Sequence, residues 1–336
     1  MNAKVMPVAG LAAILLAAGA GVADITIETV PVGNAGNTGE WSGESYGGNG
    51  PDRICGAVAD EYRIGKYEVT NAQYSEFLNA VATVGDPYGL YSTEMGGGWN
   101  DMGGISRTGS GTAPDPWVYG ARSSRGNWPV NYVSFWDACR FANWLHNGQG
   151  TGNTEDGAYT LTPADIANNT VIRNPGWQWA VCSEDEWYKA AYYDATSSVY
   201  YDYPTGSDTA PTAQLPPGTD MTNGSANYGY AVGYLTDVGA YKAKPSDSPY
   251  GTFDQGGNVF EWNESVLYGS DRGLRGGSFY IRVEYLHAAD RYIAFDPTFE
   301  GIDIGFRVSE VPEPCSLAVL ALGSIGILVR RRGIRR

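Results

Sequence analysis

The chain has little positive charge. Its 336 residues include 22 lysines and arginines against 37 aspartates and glutamates, which gives a formal net charge of −15. A protein that binds the phosphates of nucleic acid needs a positively charged surface. The composition therefore argues against nucleic acid as a partner. Divalent cations, or solubility outside the cell, fit this acidic balance better.

Cysteine and histidine, the usual ligands of transition metals, are also scarce. The chain has 4 cysteines, of which Cys55, Cys139 and Cys182 lie in its central part and show no CxxC spacing. An odd number without that spacing implies no disulfide framework, and at most one bridge can form there. The 2 histidines, His146 and His287, exclude a site built from three histidines.

The N-terminus has the composition of a cleaved export signal. Lys4 supplies a minimal positive region, and the apolar, alanine-rich stretch 8–20 follows it. Gly21 and Ala23 are small residues of the kind found before a signal-peptide cleavage site. We interpret residues 1–23 as a signal peptide and expect an exported protein of the cell envelope or the extracellular space.

Residues 311–336 form a second targeting segment with three parts. A short acidic, proline-bearing motif is followed by an uncharged run at 315–329 and then by a terminal arginine cluster. This layout resembles the PEP-CTERM sorting signal, which implies an exosortase-type processing enzyme as partner and a membrane anchor until the tail is processed. An ordinary C-terminal anchor is the alternative, and in both cases the arginines stay on the cytoplasmic side. The sorting residues are Pro312, Glu313, Pro314, Arg330, Arg331 and Arg332.

Between the termini, the chain is rich in glycine and large aromatic residues, with 46 Gly, 24 Tyr and 10 Trp. Such a composition is typical of a core of large rings held between irregular loops. Capping boxes at Thr70, Ser134 and Ser183 each precede a stripe of apolar residues, so they predict three helices. Short apolar runs at 25–30 and 277–283 predict strands.

Two long stretches, 94–127 and 200–233, contain many Gly, Ser or Pro residues and predict irregular loops. We interpret 55–310 as one α+β domain. The segment 24–54 then forms an N-terminal strand and loop.

Six short motifs follow one another along this domain. They are 62–71 (YRIGKYEVTN), 128–135 (WPVNYVSF), 183–187 (SEDEW), 257–262 (GNVFEW), 275–279 (RGGSF) and 304–307 (IGFR). In this order they resemble the motifs of the formylglycine-generating enzyme family, also called the sulfatase-modifying factor family. The resemblance implies a C-type-lectin-like fold of the α+β class, loop-rich, with few helices and short twisted sheets.

The same resemblance shows that the copper ligands of the family are missing. Formylglycine-generating enzymes oxidise a substrate cysteine at a copper ion held by two cysteines that follow the fifth motif. The corresponding stretch here, 280–291, contains no cysteine, and thiolates are the soft ligands that Cu(I) requires. We expect no copper site and no such activity. The alternative is an oxidoreductase of this type that acts on a cysteine or other sulfur substrate through an atypical metal site.

A calcium site is predicted in the loop 254–261. The family binds calcium at this segment, and the resemblance assigns the ligands as the side chains of Asp254 and Glu261 with the carbonyls of Gly257 and Val259. Such a loop can offer Ca²⁺ the carboxylate and carbonyl oxygens that it prefers. The alternative is that Glu261 pairs with a buried arginine such as Arg307 and that the loop is a simple turn.

The segment after the fifth motif is the predicted ligand-binding region. It places aromatic rings beside charged groups, a combination that suits sugars or peptides, and in C-type-lectin-like folds it lines the ligand face. We therefore expect a polysaccharide or an envelope protein as partner, unless the tyrosines only pack the core. The candidate ligand residues are Tyr280, Arg282, Tyr285, His287, Arg291 and Tyr292.

Overall fold

The computed structural model describes residues 24–243, 245–291 and 293–311. The predicted signal peptide, the predicted sorting tail beyond residue 311, and Tyr292 lie outside these ranges. Within them, the structure contains no helix that is both long enough and apolar enough to cross a membrane.

The regular elements are short and widely spaced along the chain. The helices are α1 (Asn71–Val81), α2 (Phe135–His146), α3 (Pro163–Ala167) and α4 (Glu184–Tyr192). The strands are β1 (Thr29–Val32), β2 (Glu40–Ser42), β3 (Arg53–Cys55), β4 (Tyr62–Gly65), β5 (Ile105–Thr108), β6 (Val118–Ala121), β7 (Trp179–Val181), β8 (Tyr193–Asp194), β9 (Val199–Tyr200), β10 (Thr212–Ala213), β11 (Ser225–Ala226), β12 (Phe260–Leu267), β13 (Asp271–Arg275), β14 (Ala294–Phe295), β15 (Ile304–Gly305) and β16 (Val308–Glu310).

The three predicted capping boxes are confirmed. Before α1, the hydroxyl of Thr70 accepts from the backbone of Gln73, whose side chain accepts in return from the backbone of Thr70. Reciprocal bonds of the same kind begin α2 and α4. Each box satisfies donors that a helix start otherwise leaves unpaired.

Two larger sheets organise the remaining chain. One has the order β1-β4-β16-β7 and is antiparallel, so it joins the N-terminal strand to the last one. The other has the order β14-β13-β12-β15, with β12 and β15 parallel. Few helices, small sheets and long irregular connections confirm the predicted α+β, C-type-lectin-like fold class.

Aromatic rings fill the main core between α1, α2 and the end of the chain. The rings of Phe77 and Phe141 meet edge to face with centroids 5.4 Å apart, and Phe141 meets Phe306 at the same distance. Tyr74 and Trp144 complete this buried cluster. Edge-to-face pairs add attraction beyond the burial of apolar area, which suits a domain with little regular structure.

Three local predictions need correction. The first strand is Thr29–Val32 rather than 25–30. The predicted loop 94–127 contains the β5–β6 hairpin, because Ile105 and Tyr119 are buried in the main core. The predicted strand 277–283 is a loop, since Gly276 and Gly277 take φ values of +93° and +75° and turn the chain out of the sheet after β13.

Candidate ligand-binding site

One exposed and one half-buried aromatic ring form a ridge on the surface. Trp128 and Tyr234 stack with centroids 5.9 Å apart and ring planes 15° apart. They lie between two depressions, of about 440 and 380 Å³, and both rings line each depression. We call this pair the aromatic ridge. The two rings belong to loops that are more than 100 residues apart in the sequence, so no local sequence pattern predicts the pair.

Both sides of the ridge are held in place by polar contacts. The guanidinium of Arg125 lies 4.9 Å from the Trp128 ring and is itself paired with Asp101 at 2.8 Å. On the other side, the side-chain amide of Asn227 donates to the carbonyl of Tyr234 at 3.0 Å. A fixed pair of partly exposed rings is a ready surface for a flat ligand, because little side-chain entropy is lost when it binds.

Tyr280 belongs to the same face. It is half-buried and contacts Phe279 and Tyr230, with ring centroids 5.0 and 5.5 Å apart. Tyr280 and Trp128 both pack against one small cluster of buried apolar side chains, which includes Leu235 and Phe279. The structure therefore brings one of the predicted ligand residues next to the ridge.

The other predicted ligand residues are distributed differently. Arg282 is exposed, and Tyr285 is half-buried with its ring 6.1 Å from that of Phe260. Arg291 is buried and donates two hydrogen bonds to Glu184, at 2.7 and 2.8 Å. Its guanidinium is thus already occupied by an internal ion pair.

His287 lies apart from the ridge, in a groove near the N-terminal hairpin, which is formed by β2 and β3. Its Nε2 is 3.6 Å from the Oδ1 of Asp202, and its Nδ1 accepts a hydrogen bond from the backbone of Ala289. It lines no surface in common with Trp128 or Tyr234. The candidate ligand residues thus lie in at least two places.

Comparison with known protein families decides where this chain belongs. Residues 29–311 match the family described as "Sulfatase-modifying factor enzyme 1-like domain". The chain is a member of the sulfatase-modifying factor family. The predicted resemblance of the domain is therefore confirmed, while the sorting tail stays a prediction.

One solved structure agrees with this membership at the level of the fold, and a second is similar over most of its length. The Treponema denticola variable protein 1 is 19% identical with a TM-score of 0.53, and the match covers 87% of this chain and 97% of that one. PvdO from Pseudomonas aeruginosa is 17% identical over 84% of this chain and 94% of its own, with a TM-score of 0.49. Among curated proteins, none matches. At these identities the likeness concerns the fold alone.

The loop 254–261, where calcium is predicted, has an ion pair at its end. Both carboxylate oxygens of Glu261 accept hydrogen bonds from Arg307, each at 2.6 Å, and both side chains are fully buried. The indole of Trp187 also donates to Glu261 at 2.7 Å. The contact that the sequence left as the alternative therefore exists, and it engages the carboxylate that calcium would use.

Two other carboxyl groups, in or beside this loop, lie in surroundings that disfavour their charged forms. Burial raises the pKa of Asp254 to about 6, and burial together with Asp254 raises the pKa of Glu68 well above its ordinary value. One oxygen of Glu68 accepts from Asn258 at 3.0 Å, and the other has no hydrogen-bond partner among the described residues. In the described ranges, no three His, Cys, Asp or Glu residues form a ready metal cluster. A bound cation would stabilise the charged forms of these carboxyl groups, and calcium stays a prediction.

We expect Ca²⁺ to raise the melting temperature of the full chain, since a cation that binds only the folded state stabilises it by about 2.7 kcal/mol at 100 times its dissociation constant. The measurement is a thermal melt across a Ca²⁺ series, with Asp254→Ala expected to lose the response. Asp60→Ala, at an exposed position, is the matched control. A melting temperature that stays constant up to millimolar Ca²⁺ would contradict the prediction.

The three cysteines of the domain are free and buried. Burial raises the pKa of Cys55 to about 11, and it raises the pKa of Cys139 and Cys182 further. Thiolates, rather than thiols, are the nucleophiles and the metal ligands. These environments are typical of thiols that pack in a core.

Proposed function

We propose that this member of the sulfatase-modifying factor family is an exported envelope protein whose domain binds a ligand, a polysaccharide, rather than oxidising one. The observation that carries the proposal is the aromatic ridge. Its two stacked rings stand between open depressions, and Tyr234 is 49% exposed although its ring is already paired. Rings exposed in this way can stack on the apolar faces of sugars, while the polar rim supplies hydrogen bonds.

The chemistry around the ridge supports a neutral, hydroxyl-rich ligand. At the edge of one depression, Asp101 pairs with both Arg125 and Arg122, at 2.8 and 2.7 Å, so each of these charged groups already has an ion-pair partner. Ser123 and Ser124 line the same depression and add hydroxyl groups. Hydroxyl and backbone groups around stacked rings match the alternation of apolar and polar faces in a polysaccharide.

The targeting segments complete the proposal. A signal peptide at 1–23 would export the chain, and an exosortase-type enzyme would recognise Pro312, Glu313 and Pro314 in the tail. The domain would then be held at the envelope, anchored through the tail until processing. Within this proposal, calcium at the loop 254–261 has a structural role.

Glycan screening of the full chain is the direct test. We expect neutral polysaccharide fragments to bind, and Trp128→Ala and Tyr234→Ala each to weaken binding by about 1–3 kcal/mol, as expected when an exposed stacking ring is removed. Tyr268→Ala removes a ring that is 57% exposed, comparable with Tyr234, on the β12–β13 turn, and it is the matched control. If the ridge variants bind as well as the wild-type chain, the ridge is not the binding site.

The alternative function, an oxidoreductase of the formylglycine-generating type, is tested on the same preparation. The assay supplies Cu(I), oxygen and a cysteine peptide, and it reads the mass of the peptide. Conversion to the formylglycine mass by the folded chain would overturn the proposed binding role. An active two-cysteine relative is the positive control.

A further inference from the structure

A second aromatic pair lies on the N-terminal hairpin. Trp41 of β2 and Tyr46, in the short helical turn that follows β2, stack with centroids 5.1 Å apart and planes only 8° apart. Both rings are almost half exposed, at 45% and 46%. The two rings are parallel and stacked face to face, and a large part of each one stays open to solvent.

The hairpin is fixed to the rest of the domain by backbone contacts. The hydroxyl of Ser42 donates to the carbonyl of Ala288 at 2.8 Å, and the backbone of Gly43 donates to the carbonyl of Ala289 at the same distance. The backbone of Ser45 donates to Asp52, which closes the turn between β2 and β3. The two rings are therefore held at a defined position against the 287–289 segment.

A groove of about 660 Å³ runs beside the two rings, larger than either depression at the ridge. Trp41 and Tyr46 form part of its wall. The other residues that line it are Thr38, Gly39, Glu40, Ser198, Val199, Tyr200, Asp202, His287 and Ala289. None of them lines the ridge depressions, so the two surfaces are separate. We call it the hairpin groove.

The charge of the hairpin groove is negative. Glu40 and Asp202 line it, and no lysine or arginine is among the described residues of its lining. Glu40 accepts a hydrogen bond from the hydroxyl of Tyr188 at 2.9 Å. Burial, together with the nearby charges of Asp202 and Asp208, raises the pKa of Glu40 even though the Tyr188 hydrogen bond opposes the rise. Asp202 therefore contributes to the raised pKa of Glu40, and the only basic side chain among the described lining residues of the groove is His287.

In its neutral form, His287 adds no positive charge to the hairpin groove. Its Nδ1 accepts from the backbone of Ala289 at 3.0 Å, so the ring proton of the neutral form belongs on Nε2, the atom nearest Asp202. Asp202 is 49% exposed and still faces the groove. The groove therefore combines flat ring faces, carboxylates and hydroxyl groups.

We propose that the hairpin groove binds an amino sugar, a glycan unit with a primary ammonium group, whose ring stacks on Trp41 and Tyr46 while its ammonium group lies against Glu40 and Asp202. An ammonium ion is attracted both to a ring face and to a carboxylate. The exposed ring surface of this stacked pair suits the flat face of a sugar ring better than the narrow stem of a lysine side chain. This site is independent of the ridge, since either surface can bind without the other.

Calorimetry on the full chain tests the proposal with two matched probes, the trimer of glucosamine and its fully N-acetylated counterpart, at a pH where the amines are protonated. We expect the charged trimer to bind at least about 10-fold more tightly, equivalent to about 1.4 kcal/mol. We also expect its affinity to fall as salt is added. Equal affinity for the two trimers, or no binding of either, would overturn the proposal.

Variants locate the binding. Glu40→Gln keeps an acceptor for Tyr188, and Asp202→Asn changes an exposed side chain, so neither threatens the fold. Each substitution should weaken binding of the charged trimer about 10-fold, and Trp41→Ala should weaken that binding at least as much. Tyr234→Ala, at the ridge, should leave it unchanged. Unaltered binding in Asp202→Asn and Trp41→Ala, or tighter binding of trilysine through the same residues, would refute the amino-sugar assignment.

Discussion

Replacing Glu261 by glutamine is expected to lower the free energy of unfolding by about 3–5 kcal/mol, one of the largest single-residue effects in this domain. The reason is that Arg307 is fully buried and uses Glu261 as its counter-ion. Its remaining donors are directed at the backbone carbonyls of Gly65 and Phe253, at 2.9 and 3.0 Å. Without this carboxylate, the buried guanidinium loses its hydrogen-bonded counter-ion, and the nearby Glu68 and Asp254 replace that contact only in part.

The measurement is chemical denaturation of the full chain in the absence of calcium, which separates the ion pair from any metal effect. Glu28→Gln is the matched control, because Glu28 forms a 2.7 Å pair with Lys66 but is 60% exposed. Exposed ion pairs contribute about 0–1 kcal/mol to stability, so the free energy of unfolding of this variant should barely change. Combining Glu261→Gln with Arg307→Met should recover part of the loss, since the unpaired charge is then gone. A loss below about 1 kcal/mol in Glu261→Gln would show that the pair does not stabilise the fold.

Local patterns in the sequence were sufficient to predict three of the helices. A capping box depends on only four consecutive residues, and the boxes at Thr70, Ser134 and Ser183 form as predicted. The short helix α3 carries a comparable signal, in which Thr162 caps the start and Pro163 occupies the first turn. By contrast, the β5–β6 hairpin depends on burial of Ile105 and Tyr119 against distant residues, which no local pattern reveals.

The binding surfaces were harder to predict, because each joins distant parts of the chain. The segment 280–292 was expected to form one ligand face, yet Tyr280 lies by the ridge while His287 lies in the hairpin groove. The rings that define the two surfaces, Trp128 with Tyr234 and Trp41 with Tyr46, were not among the expected residues. Residue type alone cannot distinguish an exposed tyrosine from a buried one in a chain with 24 of them.

Arg291 shows the same difficulty for charged residues. From the sequence it is an arginine beside aromatic residues in the predicted ligand segment. In the structure its guanidinium pairs with Glu184, which lies 107 residues earlier in the chain. Loss of binding in an Arg291 variant would therefore need a stability measurement beside it before a ligand contact could be inferred.

Glu184→Gln is the second substitution with a large expected effect, again about 3–5 kcal/mol at neutral pH. The Glu184 carboxylate is buried at the start of α4 and accepts from three arginines. The nearest contacts are 2.7 Å to Arg275, 2.7 Å to Arg291 and 2.8 Å to Arg53. Removing its charge leaves Arg275 and Arg291 buried without a carboxylate to balance them.

The pH dependence of this loss is a second, independent signature. Burial alone would raise the pKa of Glu184, but Arg275, Arg291 and Arg53 outweigh it and hold the pKa well below the ordinary value of 4.5. The folded state then binds fewer protons than the unfolded state, so this stabilisation is present above about pH 4.5 and declines as the pH falls further. As the pH falls, the wild-type chain should lose stability more steeply than Glu184→Gln. The free energies of unfolding of the two chains should therefore converge in acid.

Denaturation of both chains from pH 7 to pH 3 measures this convergence. Asp185→Asn is the matched control, because Asp185 is the next residue of α4 and pairs with the same Arg53, which is 39% exposed. Its amide can still accept from the backbone of Gly56, so we expect a change of about 1 kcal/mol or less. If the difference between wild type and Glu184→Gln stayed constant across this range, the arginines would not be responsible for the low pKa of Glu184. The buried arginines would then be balanced by another group, and the account of Arg291 as a structural residue would fail with it.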